Sequence, residues 1–300
     1  MLMRVLVIGG GISDEREVSL RSSKAVFDAI NADLHQKEFY DWDGSEDWLA
    51  ENAQRFDVAM PILHGIGGED GQIQAILEKY NLKYVGSGVQ ASKLCMDKIS
   101  TQKLLAENGV RVPAQAVVNH DEYLNHELSG GPHVLKPILG GSSLDTYLQR
   151  DDKLSDEQSS VVFTKYGKMI LEELIEGDEV TVPVLDGYDL PLIAIIPPEG
   201  AFFDYENKYN GASQEIPAPD FIDASIQGAA RSLSRKCHDI AGCRHLSRVD
   251  MILAENGEMY VLEINTMPGM TSQSLFPLAA KKAGLTWEQF VEYLIQLAKK

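Results

Sequence analysis

The strongest constraint on this chain lies between Arg248 and Met270, where two apolar runs meet at Asn256-Gly257. Residues 249–253 and 259–264 have the length and composition of short strands. Asn-Gly between such runs selects a tight hairpin, because both residues tolerate positive φ. The hairpin carries acid where a strand ordinarily does not. Asp250 lies in the first run, Glu263 near the end of the second, and the amide of Asn265 just beyond. Burying a carboxylate in an apolar strand is costly unless something positive neutralises it. Three oxygen ligands on adjacent strands suit Mg²⁺, which takes a few protein oxygens and fills its octahedron with phosphates and water. The same residues also fit a solvated strand face with Asn265 capping a turn, and the hairpin alone leaves both readings open.

The chain of 300 residues, 44% hydrophobic, has enough apolar material for two or three packed domains. Its formal charge of −18 argues against nucleic-acid or anionic-membrane partners, which require a basic footprint. A phosphate site must therefore be built locally, from a few lysines, glycine amides and metal. No apolar run approaches the roughly 18–20 residues of a membrane span. The opening residues 1–10 read as a first strand entering a glycine turn, not as a signal peptide. Cys95, Cys237 and Cys243 are odd in number and lack metal-ligand spacing, which favours a reducing, cytoplasmic setting over a disulfide framework.

The first strand, residues 4–8, runs through Gly9-Gly10-Gly11 into a helical pattern beginning near Ser13-Asp14-Glu15. This is the opening unit of a doubly wound α/β domain. The glycines do not match a dinucleotide fingerprint, and Glu15 and Glu17 would repel a pyrophosphate, so a cationic group such as an ammonium suits that turn better. A second buried strand, 58–63, delivers His64-Gly-Ile-Gly-Gly-Glu-Asp-Gly71 at its carboxyl end, where open α/β sheets place ligands. The alternative is a glycine turn in which Asp70 caps a helix. A helix over 72–80, a short strand at Tyr84-Val85 and Gly86-Ser87-Gly88 follow, with a domain boundary near 91–96.

Lys98 falls in a helix that ends at Gly109, and Lys136 in a strand followed by Gly140-Gly-Ser-Ser143. A strand lysine before such a loop fits a flap in which amides and hydroxyls hold phosphate oxygens while the ammonium balances charge. Residues 150–160 read as a polar connection or short exposed helix. Two strands follow over 169–185 around Gly177-Asp178, and Glu172, Glu173 and Glu179 form an acidic rim suited to a sugar or base amine. After a strand at 192–196 comes a long loop, 197–220, with four aromatics and Lys208 at its centre. Loops beyond about 12–15 residues in compact domains are commonly lids or disordered, and this composition favours a lid. A helix over 224–241 precedes the hairpin, and two amphipathic helices, 274–282 and 286–298, close the chain.

Lys98, Lys136, the 172–179 acids and the Asp250/Glu263/Asn265 hairpin stand in the order found in ATP-grasp ligases. More narrowly, the segments 13–20, 64–71, 86–92, 96–98, 203–209 (Phe-Asp-Tyr-Glu-Asn-Lys-Tyr) and 263–271 (Glu-Ile-Asn-Thr-Met-Pro-Gly-Met-Thr) resemble those of D-alanine–D-alanine ligases, over nearly the whole chain. The resemblance implies an N-terminal Rossmann-like substrate domain (1–95), a central ATP-grasp subdomain with the flap (96–180) and a C-terminal ATP-grasp subdomain with lid and metal site (181–300). It also implies a cytoplasmic homodimer of peptidoglycan precursor synthesis that uses ATP and Mg²⁺ or Mn²⁺, two ions in all. ATP phosphorylates one D-alanine carboxylate and the amine of a second attacks the acyl phosphate. A related ligase with another amino-acid or dipeptide substrate is the alternative.

On this resemblance Glu15 holds the first D-alanine's ammonium through a chain to Ser142 and Tyr209, with His64 near the same substrate. Lys98, Lys136 and Lys208 face phosphates, and Glu172, Glu173 and Glu179 belong to the nucleotide site. Asp250, Glu263 and Asn265 match the metal ligands. Arg248, with backbone help from Gly269, matches the group that stabilises the tetrahedral intermediate, and Ser274 and Leu275 hold the second D-alanine's carboxylate. The chain departs from the family pattern at Leu144-Asp145, where a glycine usually stands at the second position. Other departures are Glu173, Asp178 and Phe203, in place of the usual lysine, arginine and tyrosine. A carboxylate at 145 facing the flap would weaken ATP binding.

Tyr209 carries a specificity expectation. In related ligases that make D-alanyl-D-lactate, the lid residue at this place is not tyrosine. A hydrogen-bond chain from Tyr209 through Ser142 to Glu15, closed with the lid down, would exclude water from the acyl phosphate and select an amine nucleophile. Tyr209→Phe is expected to keep the fold, gain use of D-lactate near neutral pH and lose dipeptide synthesis. Competition between D-alanine and D-lactate across mildly acidic to mildly alkaline pH measures this. An unchanged product ratio would reduce Tyr209 to a packing aromatic.

Overall fold

The structure, a computed structural model, describes residues 2–139, 145–198 and 213–299. It opens with a parallel three-stranded sheet in which β1 (Met3–Gly10) lies between β2 (His35–Trp42) and β3 (Val58–Pro61). Six of the eight β1 residues are buried, as expected of a central parallel strand covered on both faces. The helices of this part are α1 (Arg16–Ala29), α2 (Asp47–Asn52), α3 (Gln72–Lys79) and α4 (Val89–Met96). The short Tyr84-Val85 strand appears as a parallel bridge from Tyr84 to Ala59. β2, like α2 and α4, is an element that sequence patterning did not mark. Its residues are mostly half-buried and polar, because it is the edge of the sheet.

A second, antiparallel sheet follows with the order β4-β7-β5-β6. Its elements are α5 (Lys98–Glu107), β4 (Gln115–Val118), α6 (His120–Asn125), β5 (His133–Lys136), β6 (Tyr147–Gln149), α7 (Asp156–Tyr166) and β7 (Met169–Glu173). The polar stretch over 150–160 resolves into the start of α7, whose N-terminus is closed by a capping box between Ser155 and Gln158. This helix buries Ser159, Val162 and Phe163 while Val161 faces solvent. So weak an apolar stripe explains why only a connection or short helix was legible there.

The third sheet is antiparallel with the order β10-β9-β8-β11-β12. It comprises β8 (Gly177–Leu185), β9 (Ile193–Ile196), β10 (Gln214–Pro217), β11 (Leu246–Ala254) and β12 (Met259–Asn265). The helices α8 (Ala224–Ile240), α9 (Leu275–Lys282) and α10 (Trp287–Lys299) accompany it. Part of the long loop expected over 197–220 is therefore a strand, β10. The expected hairpin is β11–β12, with Gly257 at φ +82° in its turn. The fold class is the expected one, a doubly wound parallel unit followed by two α+β units.

The C-terminal helices join these layers. One hydrophobic core contains Val5 and Val7 of β1, Ile193 and Ile195 of β9, Phe276 of α9, and Phe290, Leu294 and Ile295 of α10. The polar contact His35 Nε2 to Glu292 Oε2, at 2.7 Å, docks α10 on the first sheet.

A second joint lies where the loop before β11 meets the loop before α4. Arg244 Nε donates to Gly86 O (2.7 Å) and the Gly86 N–H donates to His245 Nδ1 (3.1 Å). His245 holds a φ of +66°, and its own N–H donates to Asp186 Oδ2 (2.6 Å). Burial lowers the His245 imidazole from 6.5 to about 4. The Arg244 guanidinium and nearby His238 add to this, and Asp186 opposes it. The neutral ring is the form that accepts from Gly86. As pH falls below the unfolded value near 6.5, the unfolded chain takes up this proton before the folded one does. The contribution of His245 is thus complete above about pH 6.5 and is lost as pH falls toward about 4. Asn tolerates positive φ and offers an acceptor oxygen, so His245→Asn is expected to fold and to show a shallower loss of melting temperature across that window. Comparing the two melting profiles against pH cancels the groups they share.

Candidate active site

The polar face of the β11–β12 hairpin is built by register. Arg248 stands opposite Asn265 and Asp250 opposite Glu263, after which the pairing shifts to Met251 opposite Val261. Leu262 is the extra residue of a bulge, and its carbonyl accepts from Gln102 Nε2 at 3.0 Å. Bulges re-aim strand residues beside functional sites. With side chains alternating along β11, Val249 and Met251 enter the core, and Arg248, Asp250, Glu263 and Asn265 gather on the opposite face. Arg248 grips Asp250 with two hydrogen bonds, Nε to Oδ1 (2.8 Å) and Nη2 to Oδ2 (2.6 Å). Thr181 of β8 donates to the same carboxylate at 2.5 Å. Asn265 Nδ2 reaches Asp250 Oδ2 (3.3 Å) and Glu263 Oε1 (3.4 Å). Two carboxylates and an amide converging on one side fit a hard divalent cation with oxygen ligands. Among the described residues no group of three or more His, Cys, Asp or Glu is placed to hold a metal. A cation here would therefore need ligands beyond the His, Cys, Asp and Glu side chains of the described residues.

Two lysines flank this face. Lys98, the first residue of α5, brings Nζ to 3.9 Å from Glu263 Oε2. Glu69, Lys98, Glu263 and Asn265 line one cleft. Lys136, at the end of β5, is buried against Glu172 of β7, with Nζ 2.9 Å from Oε1 and 2.8 Å from Oε2. Gln102 completes the Glu172 cage at 3.1 Å. It lies four residues after Lys98, hence on the same helix face. Glu173 is exposed. Glu179 lies on β8 opposite Ile252.

The loops of the first unit enter from the other side. Glu15 is buried at the start of α1, and its Oε2 would lie 2.8 Å from a Cβ at Gly65, whose φ is +72°. His64 is buried and bridges two units, with Nδ1 3.1 Å from Met267 O and Nε2 3.0 Å from Ser22 Oγ. Burial holds its imidazole below the ordinary value, opposed by Glu15. Glu69 spans the same gap, accepting the N–H of Gly65 (2.8 Å) and of Met267 (3.4 Å). Burial, with Glu15 nearby, pushes its carboxyl up to about 8. Asp70 acts instead as a turn and helix cap, accepting the N–H groups of Gly67 and Gln72. Beyond Met267, a Cβ on Gly269 would come within 2.9 Å of Ser274 Oγ. Ser274 and Leu275 open α9, and free amides at a helix start favour an anion.

Comparison with known proteins gives the family. Residues 49–87 fit the family profile "D-ala D-ala ligase N-terminus" and residues 104–296 the profile "D-ala D-ala ligase C-terminus". The D-alanine–D-alanine ligase of Syntrophotalea carbinolica is 36% identical over 294 residues, 97% of this chain and 95% of its own. That of Clostridium beijerinckii is 35% identical, with 98% of each chain covered. This chain belongs to the D-alanine–D-alanine ligase family. Among solved structures, the Bacillus anthracis ligase complexed with ATP superposes with a TM-score of 0.84 at 30% identity, covering 99% of this chain and 97% of that one. The VanG D-Ala:D-Ser ligase of Enterococcus faecalis does so with a TM-score of 0.82 at 30% identity, covering 99% and 100%.

Of the residues singled out in the sequence of this ligase, Ser142, Phe203, Lys208 and Tyr209 lie outside the described residues. The structure brings Lys98, Arg248, Asp250, Glu263 and Asn265 together, and sets Glu15, His64, Gly269 and Ser274 across the adjoining loops. Gln102 and Thr181 were not assigned roles from sequence, whereas Glu69 was read only as one of the groups presented by the 64–71 loop. Gln102 had a signal, its helical spacing from Lys98, whereas Thr181 on a neighbouring strand had none.

The Asp145 side chain is engaged by α7. Its carboxylate accepts from Lys165 Nζ at 2.6 Å and from the Tyr166 hydroxyl, both on α7. Those bonds hold it below the usual carboxylate range. Its φ of +52° explains the glycine usual in the family, since aspartate is among the few side chains that visit this region. Asp145→Gly is therefore expected to leave the KM for ATP unchanged in a steady-state titration. A marked fall would show that the carboxylate reaches the phosphates.

Proposed function

We propose that this ligase joins two D-alanines into D-alanyl-D-alanine at the expense of ATP, through an acyl phosphate, in peptidoglycan precursor synthesis. The observation that carries the reading is the bulged hairpin, which sets Arg248, Asp250, Glu263 and Asn265 on one face beside Lys98. The chain divides into an N-terminal substrate domain (1–95), a central subdomain with the phosphate flap (96–180) and a C-terminal subdomain with lid and metal site (181–300). It works as a cytoplasmic homodimer. Among the described residues no helix is long and apolar enough to cross a membrane.

The roles follow from charge and position. Glu15, buried beside Gly65, receives the first D-alanine's ammonium, with His64 orienting that substrate, and connects through Ser142 to Tyr209 of the lid. Lys98, Lys136 and Lys208 meet the nucleotide phosphates, and Glu172, Glu173 and Glu179 line the nucleoside pocket. Asp250, Glu263 and Asn265 would hold Mg²⁺ or Mn²⁺, which when bound would screen the phosphates and polarise the phosphoryl group. Arg248 and the Gly269 amide donate to the oxyanion that develops when the second amine adds to the acyl carbon. Donors fixed before the reaction contribute most where charge appears in the transition state. Ser274 and Leu275 hold the second substrate's carboxylate at the start of α9. The match to a D-Ala:D-Ser ligase makes D-serine the second reading for the nucleophile.

ATP-dependent phosphate release with D-alanine, L-alanine, D-serine and D-lactate, with product masses, tests the assignment. Release with D-alanine and a D-alanyl-D-alanine product is expected. Glu263→Ala should lower turnover by at least ~10²-fold, the scale of losing one fixed electrostatic contact, while the melting temperature stays near that of the parent. Near-parental turnover in that variant would remove the metal assignment.

A further inference from the structure

We propose that Cys95 and Cys243 form a reversible disulfide-modification site, oxidised by hydroperoxide, whose closure slows the ligase by locking the joint beside Lys98. This goes beyond the ligation reaction, which uses neither thiol. Cys95 lies near the end of α4 and Cys243 in the loop between α8 and β11, 148 positions apart, yet their Sγ atoms are 3.9 Å apart. Cys95 is 6% exposed, Cys243 is partly exposed, and Cys237 is fully buried in the same core.

The surroundings favour a defined order of reaction. Cys243 is the thiol that solvent reaches, and hydrogen bonds from Cys95 and Ser87 hold it below the ordinary thiol value. The Cys243 thiolate attacks one oxygen of the hydroperoxide, the O–O bond breaks, and the departing hydroxide or alkoxide takes a proton. The Cys95 sulfur then attacks the resulting sulfenic acid, the S–O bond breaks, and hydroxide leaves with the Cys95 proton as water. Two thiols lose two electrons, and the hydroperoxide gains two. A buried resolving thiol within contact distance suits this condensation, which protects the sulfenic acid from further oxidation.

Closure has a mechanical consequence. A disulfide requires the sulfurs to be about 2 Å apart, so they must close by nearly 2 Å, by side-chain rotation and by a shift of the segments that carry them. Neither is free to drift. Arg244 and His245, next to Cys243, grip Gly86, and Gly86-Ser87-Gly88 leads directly into α4. Cys95 itself lines the cleft of Lys98, Glu263 and Asn265, and Asp97 between them caps α5. Displacing α4 therefore moves the first turn of α5, and Lys98 with it. A displacement of about 1 Å in a positioning element costs on the order of 10²-fold, so a fall of at least ~10-fold is expected here.

The test treats the full-length, fully reduced enzyme with stoichiometric hydrogen peroxide. The ligase rate before oxidation is the reference, so a chain that makes no dipeptide is recognised before oxidant is added. Peptide mapping under non-reducing conditions is expected to show an intramolecular Cys95–Cys243 link with two hydrogens lost. Turnover should fall at least ~10-fold and return on adding a dithiol. Cys243→Ser should match the reduced parent before oxidation and resist peroxide, whereas Cys237→Ser should remain sensitive. A link to Cys237, a link between chains, or stable sulfinic acid without the 95–243 link would overturn the site. The link with turnover unchanged would overturn its effect on catalysis, and mapping reads the first point even in a variant with weak activity.

Discussion

Most of the site depends on the two-point contact between Arg248 and Asp250. Both sit on one face of a strand whose other face is core, so neither charge can escape to solvent by turning over. Removing one partner of such a pair leaves a buried charge uncompensated, at a cost of about 3–5 kcal/mol. Thr181 and Asn265 take up the remaining capacity of the carboxylate, so the arrangement is a satisfied network and not a lone pair. Its register is fixed by the bulge at Leu262, which sets Glu263 opposite Asp250. Were the strand paired regularly with Leu262 opposite Asp250, Glu263 would fall opposite Val249 on the core side, because side chains alternate.

The bulge also ties the hairpin to the rest of the molecule. The Leu262 carbonyl accepts from Gln102, the same amide contacts Glu172, and Glu172 cages Lys136. A single path of hydrogen bonds thus runs from β12 of the hairpin through α5 to Glu172 of β7 and Lys136 of β5. On the opposite side, His64 and Glu69 fasten the glycine-rich loop of the first unit to Met267, just beyond Asn265. Three sheets that share little secondary structure meet at one place, and buried polar groups define their relative positions there.

The legible parts of this chain were those whose physics is local. A continuous β-branched run before glycines gave β1, and Asn256-Gly257 between apolar runs gave β11–β12. Carboxylates that an apolar strand cannot hold unaided marked Asp250 and Glu263. β2 and α7 were obscure because one is a polar edge strand and the other has a thin apolar stripe, so neither displays its period. The partners of the site residues were harder still. Nothing in sequence places Thr181 beside Asp250 or Ser22 beside His64, since those contacts arise from sheet order and domain packing. Asp145 shows the limit of pattern comparison. Its departure from glycine suggested a charge against the phosphates, whereas α7, itself poorly marked, supplies the lysine and tyrosine that engage it.

The net charge of −18 gives these pairings a further meaning. A chain this acidic repels a polyphosphate at long range, so affinity has to arise within the site, inside the Debye length of roughly 8–10 Å at ordinary ionic strength. Near the hairpin the cations stand beside carboxylates: Lys98 near Glu263, Lys136 on Glu172, Arg248 on Asp250. These pairs hold the cations in position and lower the cost of keeping them partly out of water. A triphosphate with its metal presents both signs at once. On the proposed function, a bound metal would engage Asp250 and Glu263 in place of the cations, and the phosphates would engage the lysines in place of the carboxylates. Binding of that kind would be an exchange of partners within a preformed array, with the charges already in place when the reaction needs them.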